Sequence, residues 1–269
     1  MSLIISGKTA IVTGAAAGIG LAVARHFVDK GANVMFVDMD EERLADQIGE
    51  EARAEGPVRM FAGDLREKLT ITNLLSATMD AFDRVDILVN ASRQVALSDP
   101  LCPEEDAVET LLQQNMLTSL RLTQLTAKRM IARAEKSDEK PTQVGSIINL
   151  SSIAAIRTQP ELLAYSISCA AVEQMTRSMA VALASKGIRV NAVSFGSVMS
   201  ASLQTALKDS PAMRAQITER TPMKRIASPA EIVETVQFLA SDAAAFMTGQ
   251  VVTLDGGRSL IDPALAPVH

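Results

Sequence analysis

The chain has 269 residues, 48% of them apolar, with a formal net charge of −5, two histidines and two cysteines. That length suits one α/β domain with a large core, and the acidic balance argues against a nucleic-acid backbone or an anionic membrane as partner, leaving a small molecule. Cys102 and Cys169 form no C-x-x-C pair, and with His26 and His269 as the only histidines, zinc chemistry and Ser-His catalysis lack their usual parts.

The opening "MSLIISGKTAIVTG" has no basic leader, and no run reaches the ~18 apolar residues of a membrane span. A soluble, unexported, cytoplasmic protein is expected. "TAIVTG" (9–14) then reads as a first strand, followed by a glycine-rich loop and a helix. The further apolar runs are "NVMFVD" (33–38), "DILVN" (86–90), "GSIINLSS" (145–152), "IRVNAVS" (188–194) and "QVVTLDGG" (250–257). They alternate with longer amphipathic stretches, which predicts βαβ units. Nearly continuous apolarity predicts strands covered on both faces. The fold expected is a doubly wound, Rossmann-type parallel sheet with helices on both faces, a single domain over 1–269.

Lys128, Arg129, Arg133 and Lys136 read as the solvated face of an amphipathic helix, and "AEKSDEKPTQV" (134–144) as an exposed loop. Residues 196–226, with Pro211 and Pro222, interrupt the rhythm beside the sheet's carboxyl edge and read as a substrate lid. Val198, Met199, Leu203 and Leu207 would be its apolar lining.

After the first strand comes Thr13-Gly14-Ala15-Ala16-Ala17-Gly18-Ile19-Gly20. Glycines 14, 18 and 20 allow a tight turn and a close approach of backbone to a pyrophosphate at the helix N-terminus. Asp38 ends the second strand eighteen residues after Gly20, close to the spacing of a carboxylate that reads an adenosine ribose. The missing G-K-[ST] ending excludes an NTPase loop, while an S-adenosylmethionine enzyme stays open on these residues. Asp38 would repel a 2′-phosphate, and neither Ala17 nor Met39 supplies a cation for one, so NAD(H) is preferred over NADP(H).

Tyr165, the only tyrosine, lies thirteen residues after Ser152, at the start of a predicted helix. With T-G-x-x-x-G-I-G from Thr13, Asp64-Leu65, Asn90-Ala91, Asn115 in "QQNMLTSL", "INLSS", "AYSIS", "IRVNAVSFGSV" and "TGQVVTLDGG", the chain resembles the short-chain dehydrogenase/reductase family over nearly its whole length. The resemblance disfavours the S-adenosylmethionine enzyme and implies hydride transfer between a nicotinamide and a carbinol carbon. It implies Tyr165 as acid/base, Ser152 on the substrate oxygen and Asn115 holding a relay water. It also implies Gly14, Gly18, Ile19 and Gly20 at the cofactor, Asp64 and Leu65, after a third strand, flanking the adenine, Asn90 at the adenosine ribose and Val198 at the carboxamide. Tyr165 would touch the cofactor as well. A homodimer or homotetramer is implied, built on helices around 104–135 and 163–186 and on the C-terminal strand.

Three positions depart from the family. Cys169 stands where a lysine four residues after the tyrosine is usual, Ala91-Ser92-Arg93 replaces Asn-Ala-Gly, and Phe195 replaces a proline. A thiol neither holds a ribose nor lowers a phenol pKa as an ammonium does. Arg93 either partly replaces that cation or points to solvent or across a subunit contact, and the second is the expectation. Two functions follow: an alcohol/carbonyl oxidoreductase, of reduced activity if the cation is missing, or a non-catalytic NAD(H)-binding protein that kept the fold.

Overall fold

The computed structural model describes residues 2–104, 106–138 and 141–262. Glu139 and Lys140 of the expected polar loop, and His269, lie outside the described residues. Seven strands pair in parallel: β1 (Thr9–Thr13), β2 (Asn33–Asp38), β3 (Val58–Ala62), β4 (Ile87–Asn90), β5 (Gly145–Ser152), β6 (Ile188–Phe195) and β7 (Val251–Leu254). Their order, β3-β2-β1-β4-β5-β6-β7, reverses direction between β1 and β4. The connections leaving those two strands diverge there and open a crevice at the carboxyl edge.

Six of the strands match the apolar runs. β3, "VRMFA", is missing from those runs because Arg59 interrupts it and, as an edge strand, it is only half-buried beyond Val58. The central strand β1 is buried at every position. Its alternate residues feed two cores: Ala10 and Val12 pack with Phe27, Phe36, Ile232 and Leu239 on one face, and Ile11 with Leu74, Leu122, Ile147 and Leu183 on the other. A strand covered on both faces has no polar side to show, which explains its continuous apolarity.

α1 (Gly18–Asp29), α2 (Glu41–Arg53) and α9 (Pro229–Ala240) have residues in the first core, whereas α3 (Lys68–Phe82), α5 (Thr118–Lys136) and α6 (Leu163–Ala184) have residues in the second. α9 starts on a capping box between Ser228 and Glu231, with Pro229 in its first turn. Before α5 come the short α4 (Val108–Leu111) and a π-helical stretch, Leu112–Leu117, that carries Asn115. Within 196–226 lie α7 (Ala201–Asp209) and α8 (Pro211–Glu219).

α5 runs to Lys136, so the polar connection to β5 begins later than the sequence pattern suggests. The basic run on α5 is not uniformly solvated either. Lys128 and Arg129 are exposed, but Arg133 is half-buried and donates to the Asp86 carboxylate at 2.6 Å. Asp86, on the connection into β4, also accepts from Arg84 and from the Thr9 amide.

Candidate active site

At the carboxyl end of β1, the Thr13 hydroxyl accepts hydrogen bonds from the Ala91 and Ser92 amides, both at 3.0 Å, and ties the glycine loop to the loop after β4. That closeness dictates Gly14: it has φ +67°, and a Cβ there would lie 2.9 Å from Ser92 Cα and N. A Cβ on Gly20 would collide with the Gly14 carbonyl, so α1 approaches the strand only because that side chain is absent. Gly18 differs, with φ +60° and open space where its side chain would be. Ile19 packs against the first core.

Asp38 turns toward this loop. One carboxylate oxygen accepts from the Ala16 amide at 3.0 Å and the other from the Asp40 amide at 3.1 Å. An open, side-chain-free face at Gly18 beside the start of α1, with a carboxylate one strand away, fits the pyrophosphate and ribose of a dinucleotide. Farther along the edge, Asp64 is clamped by Arg66 at 2.6 Å, and that hydrogen-bonded pairing holds its carboxyl below the usual range. Leu65 beside it is buried. Asn90 points its side chain inward, donating to Asn149 at 2.8 Å and Thr123 at 3.1 Å. Val198 is buried and bridges to Ala227.

The second half of the site lies at the ends of β4, β5 and β6. Tyr165, in the first turn of α6, is buried, with 5% of its surface exposed. Burial pushes its phenol up to about 12, against the opposing pull of the Arg93 charge and of the nearby Ser152 hydroxyl, with Cys169 adding to the rise. Ser152, half-buried at the end of β5, accepts from the Ala154 amide at 3.2 Å. Cys169, one turn along α6 from Tyr165, is buried, and burial raises its thiol pKa. It is a neutral neighbour at neutral pH.

Arg93 is exposed, as expected, but its guanidinium is also engaged at the site. From an exposed stretch after β4 its guanidinium donates to the Tyr165 hydroxyl at 2.9 Å and to the Ser151 carbonyl at 3.4 Å. It lies over the Phe195 ring, 4.4 Å from the centroid. Arg93 and Cys169, from two distant segments of sequence, therefore meet at one phenol, and Phe195 from a third stacks on the guanidinium.

Asn115 is equally fixed. Its amide nitrogen donates to the Gln94 carbonyl at 2.9 Å and to Ser168 Oγ at 3.0 Å, while its oxygen accepts from the Gln94 amide at 2.8 Å. Ser168 in turn donates to the Tyr165 carbonyl at 2.8 Å. A cavity of about 10 Å³, bounded in part by Asn115, Asn149, Tyr165 and Ser168, adjoins this chain of contacts; it has room for about one water. Ser168 and Gln94 are functional neighbours that the sequence motifs do not single out. Ser168 had a signal in its position three residues after Tyr165, on the same helix face, but Gln94 contributes mainly through its backbone, which sequence does not advertise.

Comparisons with known proteins place these features in context. A family model described as enoyl-(acyl carrier protein) reductase matches residues 14–259. An "uncharacterized oxidoreductase" of Thermotoga maritima is 33% identical over 258 residues, covering 95% of this chain and 98% of the relative. Among solved structures, a gluconate 5-dehydrogenase from Burkholderia cenocepacia in complex with NADP and tartrate superposes with a TM-score of 0.86 at 27% identity, covering 97% of this chain and 98% of that one. A 7α-hydroxysteroid dehydrogenase complexed with NADH and 7-oxo glycochenodeoxycholic acid gives 0.84 at 28% identity, covering 95% of both. Among the described residues, no helix is long and apolar enough to cross a membrane and no group of three or more His, Cys, Asp or Glu could hold a metal.

Proposed function

The chain belongs to the short-chain dehydrogenase/reductase family, and from that premise we propose that it interconverts an alcohol and a ketone or aldehyde with NAD(H), using Tyr165 as the acid/base. The observation that carries this reading is the buried phenol of Tyr165, in the first turn of α6 and close to Ser152 at the end of β5. When bound, the nicotinamide supplies or accepts the hydride. In reduction, Ser152 holds the carbonyl oxygen and the neutral Tyr165 hydroxyl gives it a proton. In oxidation, Tyr165 as phenolate takes the alcohol proton. Asn115, braced by Gln94 and Ser168, keeps a relay water at the small cavity it borders.

Gly14, Gly18, Ile19 and Gly20 cradle the pyrophosphate, and Asp38 receives the adenosine ribose and disfavours a 2′-phosphate. Asp64 and Leu65 border the adenine. Asn90 meets the ribose through its backbone, since its side chain is committed to Asn149 and Thr123. Val198 meets the carboxamide. Residues 196–226 act as a lid over the substrate, a small alcohol or carbonyl compound. The protein works in the cytoplasm as a homodimer or homotetramer. Exposed Val181, next to the small Ala182 on α6, supports a subunit contact on that helix.

Cys169 stands where the family carries its lysine, and this observation favours a second reading, a non-catalytic NAD(H)-binding protein. One experiment separates the two: NADH binding measured by titration alongside NADH oxidation over a panel of ketones, aldehydes and keto acids. Binding with turnover supports the oxidoreductase; binding without turnover on the whole panel supports the second reading; no NADH binding defeats both.

A further inference from the structure

We propose that Arg93, from the loop after β4, supplies the site's positive charge, acting directly on the Tyr165 phenolic oxygen. This inference rests on Tyr165 being the acid/base group. It stands on geometry: a 2.9 Å hydrogen bond from Nη1 to the hydroxyl, a second contact from the same nitrogen to the Ser151 carbonyl, and the Phe195 face 4.4 Å from the guanidinium carbon.

The pieces are mutually dependent. A planar guanidinium stacks on an aromatic face while its edge donates in plane, which an ammonium does not do. Phe195, at the end of β6, provides that face and is itself 2% exposed. Arg93 leaves the end of β4 on the loop that Thr13 pins at Ala91 and Ser92, so the two residues immediately before it are anchored. The charged and titratable groups around the phenol are Arg93 from the loop after β4 and Cys169 from α6, with Glu173 farther along α6, paired with Arg177 and accepting from Ser151 Oγ. Of these, Arg93 is the one cation bonded to the phenol, and a guanidinium keeps its charge throughout the range in which a phenol titrates. It favours the phenolate over the phenol and thereby offsets part of the burial cost. When the hydroxyl is neutral, the same bond leaves its proton free to point toward substrate, because Arg93 donates and the oxygen accepts.

The chain has one tyrosine and no tryptophan, so this coupling is directly observable. Growth on 3,5-difluorotyrosine labels Tyr165 alone and makes its phenol more acidic, bringing its titration into the folded range. A ¹⁹F resonance followed against pH then reports one group, with neither cofactor nor substrate present. Relative to wild type, Arg93→Met should raise the midpoint by about one to two pH units, the scale of a charge-assisted hydrogen bond to an ionised oxygen. Arg93→Lys should fall between the two, and Phe195→Leu, which keeps the guanidinium but removes its platform, should raise the midpoint part of the way. An unchanged midpoint in folded Arg93→Met overturns the proposal. Should that variant not fold, unchanged midpoints in both Arg93→Lys and Phe195→Leu overturn it. Wild-type turnover on the carbonyl panel is scored separately: its absence defeats the oxidoreductase reading and leaves the titration result standing, whereas turnover with unchanged midpoints defeats the role of Arg93 alone.

Discussion

The Asp38 carboxylate accepts a hydrogen bond from the Ala16 amide at 3.0 Å, so the residue that would read the ribose also shapes the loop that would hold the pyrophosphate. Replacing Asp38 with Ala should have two separable effects. Discrimination between NADH and NADPH should narrow by about tenfold or more, the scale of one lost charge contact. Affinity for both should also fall as the loop loses its tether. Fluorescence titration with the two cofactors checks this, and equal affinities in the wild type would refute the role assigned to Asp38.

Burial pushes the Tyr165 phenol up to about 12, so the phenolate needed for alcohol oxidation is scarce near neutrality. The kcat/KM for oxidation should rise close to tenfold per pH unit from neutral to mildly alkaline pH, whereas reduction, which uses the phenol already present, should show no such rise. A flat oxidation profile with chemistry rate-limiting, established by a deuterium isotope effect on the transferred hydride, would count against Tyr165 as the base.

Cys169 and Arg93 flank the same hydroxyl, which decides what a lysine at 169 would do. An ammonium introduced by Cys169→Lys would sit in a buried position beside the resident guanidinium, and two like charges at close range repel. The single variant should therefore gain little in NADH affinity or turnover, while Cys169→Lys combined with Arg93→Gly should exceed it about tenfold in turnover. Adding Tyr165→Phe should erase that gain. Stopped-flow reduction of one active ketone, with NADH titration in parallel, provides the comparison.

On the opposite edge of the sheet, Asp86 gathers Arg84, Arg133 and the Thr9 amide. Burial opposes ionisation there, yet these partners hold the carboxyl below its ordinary value. A depressed folded-state pKa means stability that is present above about pH 4 and lost as the pH falls through the folded value. Asp86→Asn should cost about 1–3 kcal/mol at pH 7, toward the lower end because Arg84 is half-exposed. Its deficit should shrink in acid. Urea melts at pH 7 and at about pH 3, below the unfolded carboxylate value, test both statements.

Much of this molecule is legible locally. The apolar runs identify six strands because strands covered on both faces have no polar side, and the glycines at 14, 18 and 20 announce a backbone that must approach something closely. The same-face spacing of Tyr165 and Cys169 follows from helical periodicity alone. β3 escapes that logic, since an edge strand that tolerates Arg59 carries a weak apolar signal. The site's second half escapes it for a different reason. Asn115 reads as a helix residue until a π-helical stretch presents it to Gln94 and Ser168, and Arg93 reads as a surface residue until Phe195, more than a hundred positions later, offers it a ring. Sequence by itself determines the parallel α/β sheet, the loop and the acid at the end of β2, because each is written in neighbouring residues with a fixed period. Only the tertiary structure decides which charge faces the phenol: a long flexible side chain takes its direction from contacts that the sheet brings together across distant parts of the chain.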